Sequence, residues 1–229
     1  MALVLKDGSI FLHVPKTGGN WVTTILDKCN LIADHIGEHK HVDVDRVLLL
    51  LANNNKNSFR SRFKQRFGFS AKDKPFMFCF VRHPLSWYES WFKYMSQTNR
   101  NWCDWGDEKS MDSWHPNSIL NGMGSPDFNQ FVRNVNKKRP GYVTEQYGWY
   151  TKPHVDFVGK QETLKEDLIR VLKTLELDFD EDLIRDFSKV GVSKKPANEI
   201  TWDPELRNET YKLEYAGIVR HGYQHDNPM

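Results

Sequence analysis

The chain has 229 residues, of which 39% are apolar and 27% are charged, and its formal net charge is +2 at pH 7. This length predicts one domain over residues 1–229, and so small a net charge argues against a protein dedicated to binding nucleic acid. The three cysteines, Cys29, Cys79 and Cys103, are too few and too widely spaced for a disulfide framework or a four-cysteine zinc site. Their spacing favours a reducing compartment.

The sequence gives no indication of a membrane span or a secretory leader. No run approaches the roughly 20 apolar residues that a membrane-spanning helix needs. The first predicted strand also begins too close to Met1 for a signal peptide. We therefore expect a soluble, intracellular protein without a membrane partner, and the sequence does not indicate its oligomeric state.

The first chemically informative stretch, residues 10–26, reads IFLHVPKTGGNWVTTIL. An apolar run over residues 10–14 predicts a strand buried on both faces, and apolar side chains at helical spacing from Trp21 to Cys29 predict a helix. The Pro-Lys-Thr-Gly-Gly turn between them contains two glycines that leave its backbone open to a ligand. Free amides at a helix start and the charge of Lys16 make this turn a predicted anion site, with a purely structural turn as the alternative.

A histidine-rich loop and a short apolar helix follow, and the loop contains His35, His39 and His41. No cysteine is near, and the spacing fits neither a zinc finger nor the H-E-x-x-H motif, so we predict no metal. Solvated loop histidines and a catalytic base remain the two alternatives. Phe59, Phe63 and Phe67 then alternate with basic residues, which predicts an amphipathic helix with either a solvated face or an anion-binding patch.

A second strand, turn and helix are predicted from residue 76 onward. Residues 76–81 are an apolar strand, and Pro84 opens the following helix. Arg82 ends the strand and Ser90 lies about two turns into the helix, so their side chains could converge on one phosphate. We expect His83 to orient Arg82 or to cap the helix.

Residues 97–150 have a different composition and predict a separate lobe. Trp102, Trp105 and Trp114 lie among polar residues, as core of the lobe or as a platform for a sugar ring or an aromatic acceptor. One helix is predicted there, over residues 127–137.

The last third of the chain predicts a third strand, over residues 154–159, and two helices. The first helix, residues 163–175, begins with a Thr163–Glu166 capping box, and the second begins at Asp203 and Pro204. Because helices separate the strands, the predicted fold is α/β with a central parallel sheet flanked by helices.

The order of residues in the turn bears on the reaction. Neither G-x-x-x-x-G-K-[ST] nor G-x-G-x-x-G occurs there, and the lysine precedes the glycines. This order is the reverse of the kinase arrangement, so a transfer without metal is favoured over phosphorylation by ATP.

Through PKTGG and RHPLSWYES, the chain resembles the sulfotransferases that use 3′-phosphoadenosine 5′-phosphosulfate (PAPS), especially their carbohydrate-type branch. The resemblance extends to FVGKQETLKEDL and more loosely to VSKKP and YAGIVRHGY, and it is weakest over residues 97–146. It implies the P-loop nucleotide hydrolase-like sulfotransferase fold. It also implies PAPS as donor, adenosine 3′,5′-bisphosphate (PAP) as product, and a small molecule or glycan as acceptor.

The resemblance also assigns roles to particular residues. Arg82 and Ser90 would clamp the 3′-phosphate, Lys16 would also meet the charge on the leaving group, and His41 would be the base, with His39 as the reserve. Lys194 and Lys195 would cover the nucleotide or lie in a solvated loop, and Gly217 replaces a frequently acidic residue of the family. The residues that would bind the 5′-phosphosulfate are Lys16, Thr17, Gly18, Gly19, Asn20 and Trp21.

Two other classes of function stay open at this stage. A nucleotide-dependent kinase on a related fold would show turnover of ATP with magnesium. A binder of single-stranded nucleic acid would use the basic helix near Phe59 and the exposed tryptophans, and its affinity would fall steeply with salt.

Overall fold

A five-stranded mixed sheet flanked by helices forms the centre of the fold in the computed structural model, which describes residues 1–52, 74–96, 115–188 and 200–225. The strand order is β3-β1-β2-β4-β5. The strands are β1 Ala2–Leu5, β2 Ile10–Leu12, β3 Ile32–Ile36, β4 Met77–Val81 and β5 Phe157–Lys160. The α-helices are α1 Gly19–Lys28, α2 Val44–Ala52, α3 Pro84–Met95, α4 Phe128–Lys138, α5 Tyr142–Tyr150, α6 Leu164–Thr174, α7 Glu181–Asp186, α8 Pro204–Leu213 and α9 Tyr215–Arg220, and Pro116–Leu120 form a 3-10 helix.

The described chain divides into two compact units. The sheet unit consists of residues 1–81 and 149–191 and contains all five strands. The helical unit consists of residues 82–148 and 192–229. The α/β class predicted from the sequence is confirmed.

The predicted parallel sheet is correct for only part of the sheet. β2 pairs with β4 and β4 with β5 in parallel, whereas β1 is antiparallel to both β2 and β3. The sequence analysis missed β1 and β3. A tight turn joins β1 to β2, in which Gly8 has a φ of 88° and the Asp7 carboxylate accepts from the Ser9 amide at 3.1 Å and from the Ser9 hydroxyl at 2.8 Å. So short a connection imposes antiparallel pairing, because a parallel pair needs a crossover of a dozen residues or more.

The core of the sheet unit explains why α1 lies where it does. Trp21, Val22, Ile25 and Leu26 are buried on one face of α1, as the helical spacing predicts. They pack with strand residues such as Phe11 and with the apolar face of α6. β2 and β4 are parallel and in register, so their carboxyl ends lie at one edge of the sheet, where ligands bind in open α/β sheets.

A buried carboxylate ties the helices of the helical unit together. Glu214 has no exposed surface and accepts from the Tyr88 hydroxyl at 2.8 Å and from the Val143 and Thr144 amides at 3.0 and 2.7 Å. It therefore caps the first turn of α5 from a distant part of the chain. The nearby Gly217 has no room for a side chain, because a Cβ there would lie 2.5 Å from Thr144 Oγ1.

The helix starts give one confirmation and one correction. The Asp203 side chain accepts from the amide of Leu206 and caps its helix as expected, and Asp127 caps α4 in the same way through the amide of Gln130. The predicted Thr163–Glu166 capping box is wrong. The Thr163 hydroxyl instead donates to the Asp167 carboxylate at 2.8 Å, and that carboxylate also accepts from the Lys160 amide at 2.7 Å. The buried Asp167 carboxylate therefore takes the Thr163 hydroxyl that the capping box would have used at the helix start.

Several predictions fall on residues outside the described ranges. These are the basic helix around Phe59–Phe67, the tryptophans at 102, 105 and 114, and Lys194 with Lys195. Within the described part of residues 97–150, α4 was predicted, whereas α5 and the 3-10 helix were not. No helix in the described ranges is long and apolar enough to cross a membrane.

Candidate functional site

The Pro-Lys-Thr-Gly-Gly turn connects the carboxyl end of β2 to α1. Lys16 and Gly18 both adopt left-handed backbone conformations, with φ values of 66° and 88°. The buried Thr17 hydroxyl donates to the Val14 carbonyl at 3.0 Å and holds the turn in place. Gly18 is the N-cap of α1 and has no side chain that could accept from the first-turn amides. The Trp21 amide donates to the Gly18 carbonyl at 2.9 Å, whereas the amides of Gly19 and Asn20 have no such bond to a described residue and are available to an anion.

Close packing on two sides requires the two glycines of the turn. A Cβ on Gly18 would lie 2.6 Å from a methyl carbon of Leu164. A Cβ on Gly19 would lie 2.3 Å from two atoms of the His13 ring, Cδ2 and Nε2. Neither position admits a side chain without moving a neighbour, so the packing of the sheet unit fixes the open backbone of the turn.

The residues predicted to bind the 5′-phosphosulfate differ in what they offer to a ligand. Trp21 packs in the core and its amide donates to the Gly18 carbonyl at 2.9 Å, so it supports the helix start, whereas Thr17 donates its hydroxyl to the turn itself and presents only its backbone. Lys16 is partly exposed and Asn20 is exposed. The Asn20 side-chain oxygen accepts from the Lys40 ammonium group, which adds a second positive charge at the start of α1.

His41 contacts His13, the residue two positions before the turn. Its Nδ1 lies 2.8 Å from the His13 carbonyl oxygen, and the two rings meet edge to face with centroids 4.8 Å apart. The Tyr150 hydroxyl donates to the His41 carbonyl at 2.7 Å. Because a carbonyl only accepts, Nδ1 carries the proton, and Nε2 carries the lone pair of the neutral ring.

Burial and charge keep His41 neutral. The pKa of His41 is lowered to about 4, chiefly by loss of hydration and also by the charges of Lys40, the amino terminus and Lys16, whereas the bond to the His13 carbonyl opposes the shift. His41 is therefore a neutral imidazole at pH 7, which is the form that a general base requires.

Sequence reasoning missed two residues of this site, His13 and Tyr150. His13 is 5% exposed and directly follows β2. A polar residue that interrupts an apolar run at the carboxyl end of a strand was the available signal. Tyr150 has no local signal, since its contact with His41 spans 109 positions along the chain.

The other histidines of the loop have different surroundings. His35 lies on β3 and is exposed, so it is not part of the loop. His39 is partly buried, and its carbonyl accepts from the amino group of Met1. In the described part of the chain, no three histidine, cysteine or acidic side chains form a group that could hold a metal ion.

Arg82, the first residue after β4, belongs to the helical unit. The Tyr147 hydroxyl accepts from its amide at 3.1 Å and donates to its carbonyl at 2.7 Å, which fixes the backbone there. The Arg82 Nε is buried and has no hydrogen-bond partner in the part of the chain that the structure describes. Among the described residues, no carboxylate forms an ion pair with this guanidinium. An anionic ligand would provide both a hydrogen-bond acceptor for Nε and a negative charge for the guanidinium.

The helix after Arg82 carries the remaining predicted residues. The His83 Nδ1 accepts from the Leu85 amide at 3.3 Å, so the predicted helix cap is confirmed. Ser90 is partly exposed on the polar face of α3, one turn beyond Ser86. Lys16 and His41 thus belong to the sheet unit, and Arg82 and Ser90 to the helical unit.

Comparison with known proteins adds no assignment to this geometry. No family model matches the chain, and no curated protein matches it at a significant level.

Proposed function

We propose that the protein is a PAPS-dependent sulfotransferase that transfers a sulfuryl group to a hydroxyl or amine of a small-molecule or glycan acceptor. The observation that carries this proposal is the anion-binding turn with a neutral histidine beside it. The first-turn amides of α1 and Lys16 suit a phosphosulfate, and His41 suits the acceptor. Arg82, which has no carboxylate partner among the described residues, suits the 3′-phosphate that distinguishes PAP from AMP.

The proposed reaction is an in-line displacement at sulfur. The acceptor oxygen or nitrogen forms a bond to sulfur while the bond from sulfur to the 5′-phosphate oxygen breaks. PAP leaves with the electron pair of that bond, and Lys16 with the turn amides stabilises the added charge. The acceptor proton passes to Nε2 of His41.

The low pKa of His41 has a consequence for this mechanism. A conjugate acid with a pKa of about 4 belongs to a weak base. Bound PAPS would bring negative charge to the turn and oppose the effect of Lys16 and Lys40, so it should raise the pKa of His41. Donor binding would then make His41 a stronger base before the acceptor loses its proton.

The test is transfer from labelled PAPS to a panel of glycans, phenols and amines, with and without a metal chelator. We expect transfer to at least one acceptor in both conditions, and its loss in the Lys16→Ala variant. Magnesium-dependent turnover of ATP without use of PAPS would support a kinase instead. Salt-sensitive binding of oligonucleotides without transfer would support a nucleic-acid binder.

A further inference from the structure

We propose that His13 is a positioning residue that holds the imidazole of His41 in a fixed orientation beside the anion-binding turn. The consequence for catalysis rests on the proposed function, but the positioning itself does not. The argument uses the side chain of His13, its carbonyl group, and the glycine that faces it.

The side chain of His13 is confined between α1 and the histidine loop. On one side it touches the first residue of α1, since a Cβ on Gly19 would overlap two of its ring atoms at 2.3 Å. On another side the ring of Phe11, which is 1% exposed, lies with its centroid 6.0 Å away. His13 is itself 5% exposed, so its ring has little room to turn.

His13 restrains His41 in two ways. The two rings meet at an interplanar angle of 81°, with centroids 4.8 Å apart, which limits rotation of the His41 ring. The His13 carbonyl accepts from His41 Nδ1 at 2.8 Å, which selects the tautomer with the lone pair on Nε2. One residue therefore sets both the direction of the His41 ring and the nitrogen that would accept a proton.

The first test compares His13→Ala with the matched variant His13→Phe, which retains an aromatic ring. Nitrogen NMR of the full-length protein reports the tautomer and the pKa of His41 without any substrate. His13→Ala keeps the backbone carbonyl, so we expect the same His41 tautomer but a pKa at least one unit higher, because water reaches the ring that the His13 side chain no longer covers. In His13→Phe we expect the tautomer and pKa of the unmodified protein.

The second test moves His13 without replacing it. Gly19→Ala places a methyl group where the His13 ring now lies, so the ring must shift. We expect a raised pKa of His41, as in His13→Ala, although neither histidine has been changed. This variant also serves if His13→Ala does not fold.

Activity measurements separate the two proposals. With a working acceptor, His13→Ala should lower kcat at least twentyfold and leave the affinity for PAP within about threefold, and His13→Phe should recover most of the loss. The positioning role is refuted if the pKa of His41 stays unchanged in His13→Ala or in Gly19→Ala, or if His13→Phe changes it as much as His13→Ala does. If the NMR changes occur but the protein never uses PAPS, the positioning stands and the sulfotransferase proposal fails.

Discussion

Lys16 combines a charge with a backbone conformation that residues with side chains rarely adopt. Its φ of 66° lies in the left-handed region, which costs about 1 to 2 kcal/mol for a residue other than glycine. The Thr17 hydroxyl and the buried Pro15 and Gly19 on either side hold the strained residue in place. Such outliers concentrate at binding sites, where the surrounding structure fixes a side chain that a relaxed turn would leave mobile.

Replacing Lys16 separates strain from function. Lys16→Ala and Lys16→Gly should both lower kcat about a hundredfold, because charge on the leaving PAP is no longer met, and should weaken PAP binding much less. Lys16→Gly should also be about 1 kcal/mol more stable than Lys16→Ala, because glycine adopts the left-handed conformation without strain. Steady-state kinetics, calorimetry with PAP and urea unfolding measure the three quantities. A loss confined to KM would argue against a role in the transition state.

His41 should matter to the reaction far more than to donor binding. His41→Ala should lower kcat about a hundredfold or more and leave PAP affinity nearly unchanged, since a general base contributes about that factor. His39→Ala is the matched control from the same loop and should retain activity. If the control loses activity and His41→Ala does not, the base is His39.

The lowered pKa of His41 also predicts how stability depends on pH. In the unfolded chain His41 takes up a proton near pH 6.5, whereas in the folded chain it does so only near pH 4. The unfolded state therefore binds more protons between these values, and the free energy of unfolding falls as the pH drops from 6.5 to 4. The loss due to this group is at most about 3 kcal/mol, and it should be absent in His41→Gln. Urea unfolding between pH 4 and 7 measures it, and equal slopes for both proteins would contradict the lowered pKa.

Single residues of the site were predictable where their chemistry is local. The order of Lys16, Gly18 and Gly19 in the sequence predicts an anion-binding turn, because amides, charge and open backbone are properties of adjacent residues. The pairing of His41 with His13 is not visible in this way, since it joins positions 28 apart through a backbone carbonyl.

At the level of elements, the start of α5 depends on a side chain from elsewhere in the chain. Glu214 accepts four hydrogen bonds there, from the Tyr88 hydroxyl, the Val143 amide, and the amide and hydroxyl of Thr144. No residue adjacent to α5 in the sequence predicts this cap, which explains why the sequence analysis did not find the helix.

Removing the carboxylate should therefore destabilise the protein strongly. Glu214→Gln replaces one acceptor oxygen with a donor, leaves buried amides without a partner, and should lower the free energy of unfolding by roughly 2 to 4 kcal/mol. Glu209→Gln, an exposed substitution on α8, is the control and should change it by less than about 0.5 kcal/mol. Thermal and urea unfolding of both variants make the comparison, and equal stabilities would contradict a capping role.

Elements were predicted well where periodicity is long and poorly where it is short. The stripe of α1 and the buried run of β4 extend over enough residues to identify both. β1 has only four residues, all apolar and buried, so its sequence shows no alternation of apolar and polar residues. The tight Asp7–Ser9 turn is the one signal that a strand ends there. Overlooking β1 hid the antiparallel half of the sheet, because strand direction was inferred from the helices between strands.

For the whole molecule, the sequence predicted the α/β class but not the mixed sheet or the division into two units. The residues assigned to the 5′ end of the donor lie in the sheet unit, and those assigned to its 3′-phosphate lie in the helical unit. The choice of acceptor was predicted to depend on tryptophans that fall outside the described residues. Donor binding is therefore the part of the proposal that experiments on the full-length chain test most directly.

Stability of the full chain in the presence of nucleotides tests the donor assignment. A ligand that binds only the folded state raises the free energy of unfolding by RT ln(1 + [L]/Kd), so at equal concentration the tighter ligand stabilises the protein more. PAP carries the 3′-phosphate assigned to Arg82 and Ser90, and a charge-assisted hydrogen bond contributes roughly 1.5 to 3 kcal/mol. PAP should therefore bind at least tenfold tighter than AMP or ADP and raise the melting temperature more at equal concentration.

Arg82→Ala should abolish this preference, because AMP and ADP lack the 3′-phosphate that the guanidinium would bind. The control is Arg133→Ala, which removes an exposed arginine whose partner is Asp203 at 3.1 Å, and it should retain the preference for PAP. Calorimetry with the three nucleotides gives the affinities, and melting curves give the stabilities. Equal binding of PAP, ADP and AMP by the unmodified protein would refute the assignment of Arg82. A preference that survives Arg82→Ala would place the 3′-phosphate against other residues and leave the anion-binding turn as the supported part of the site.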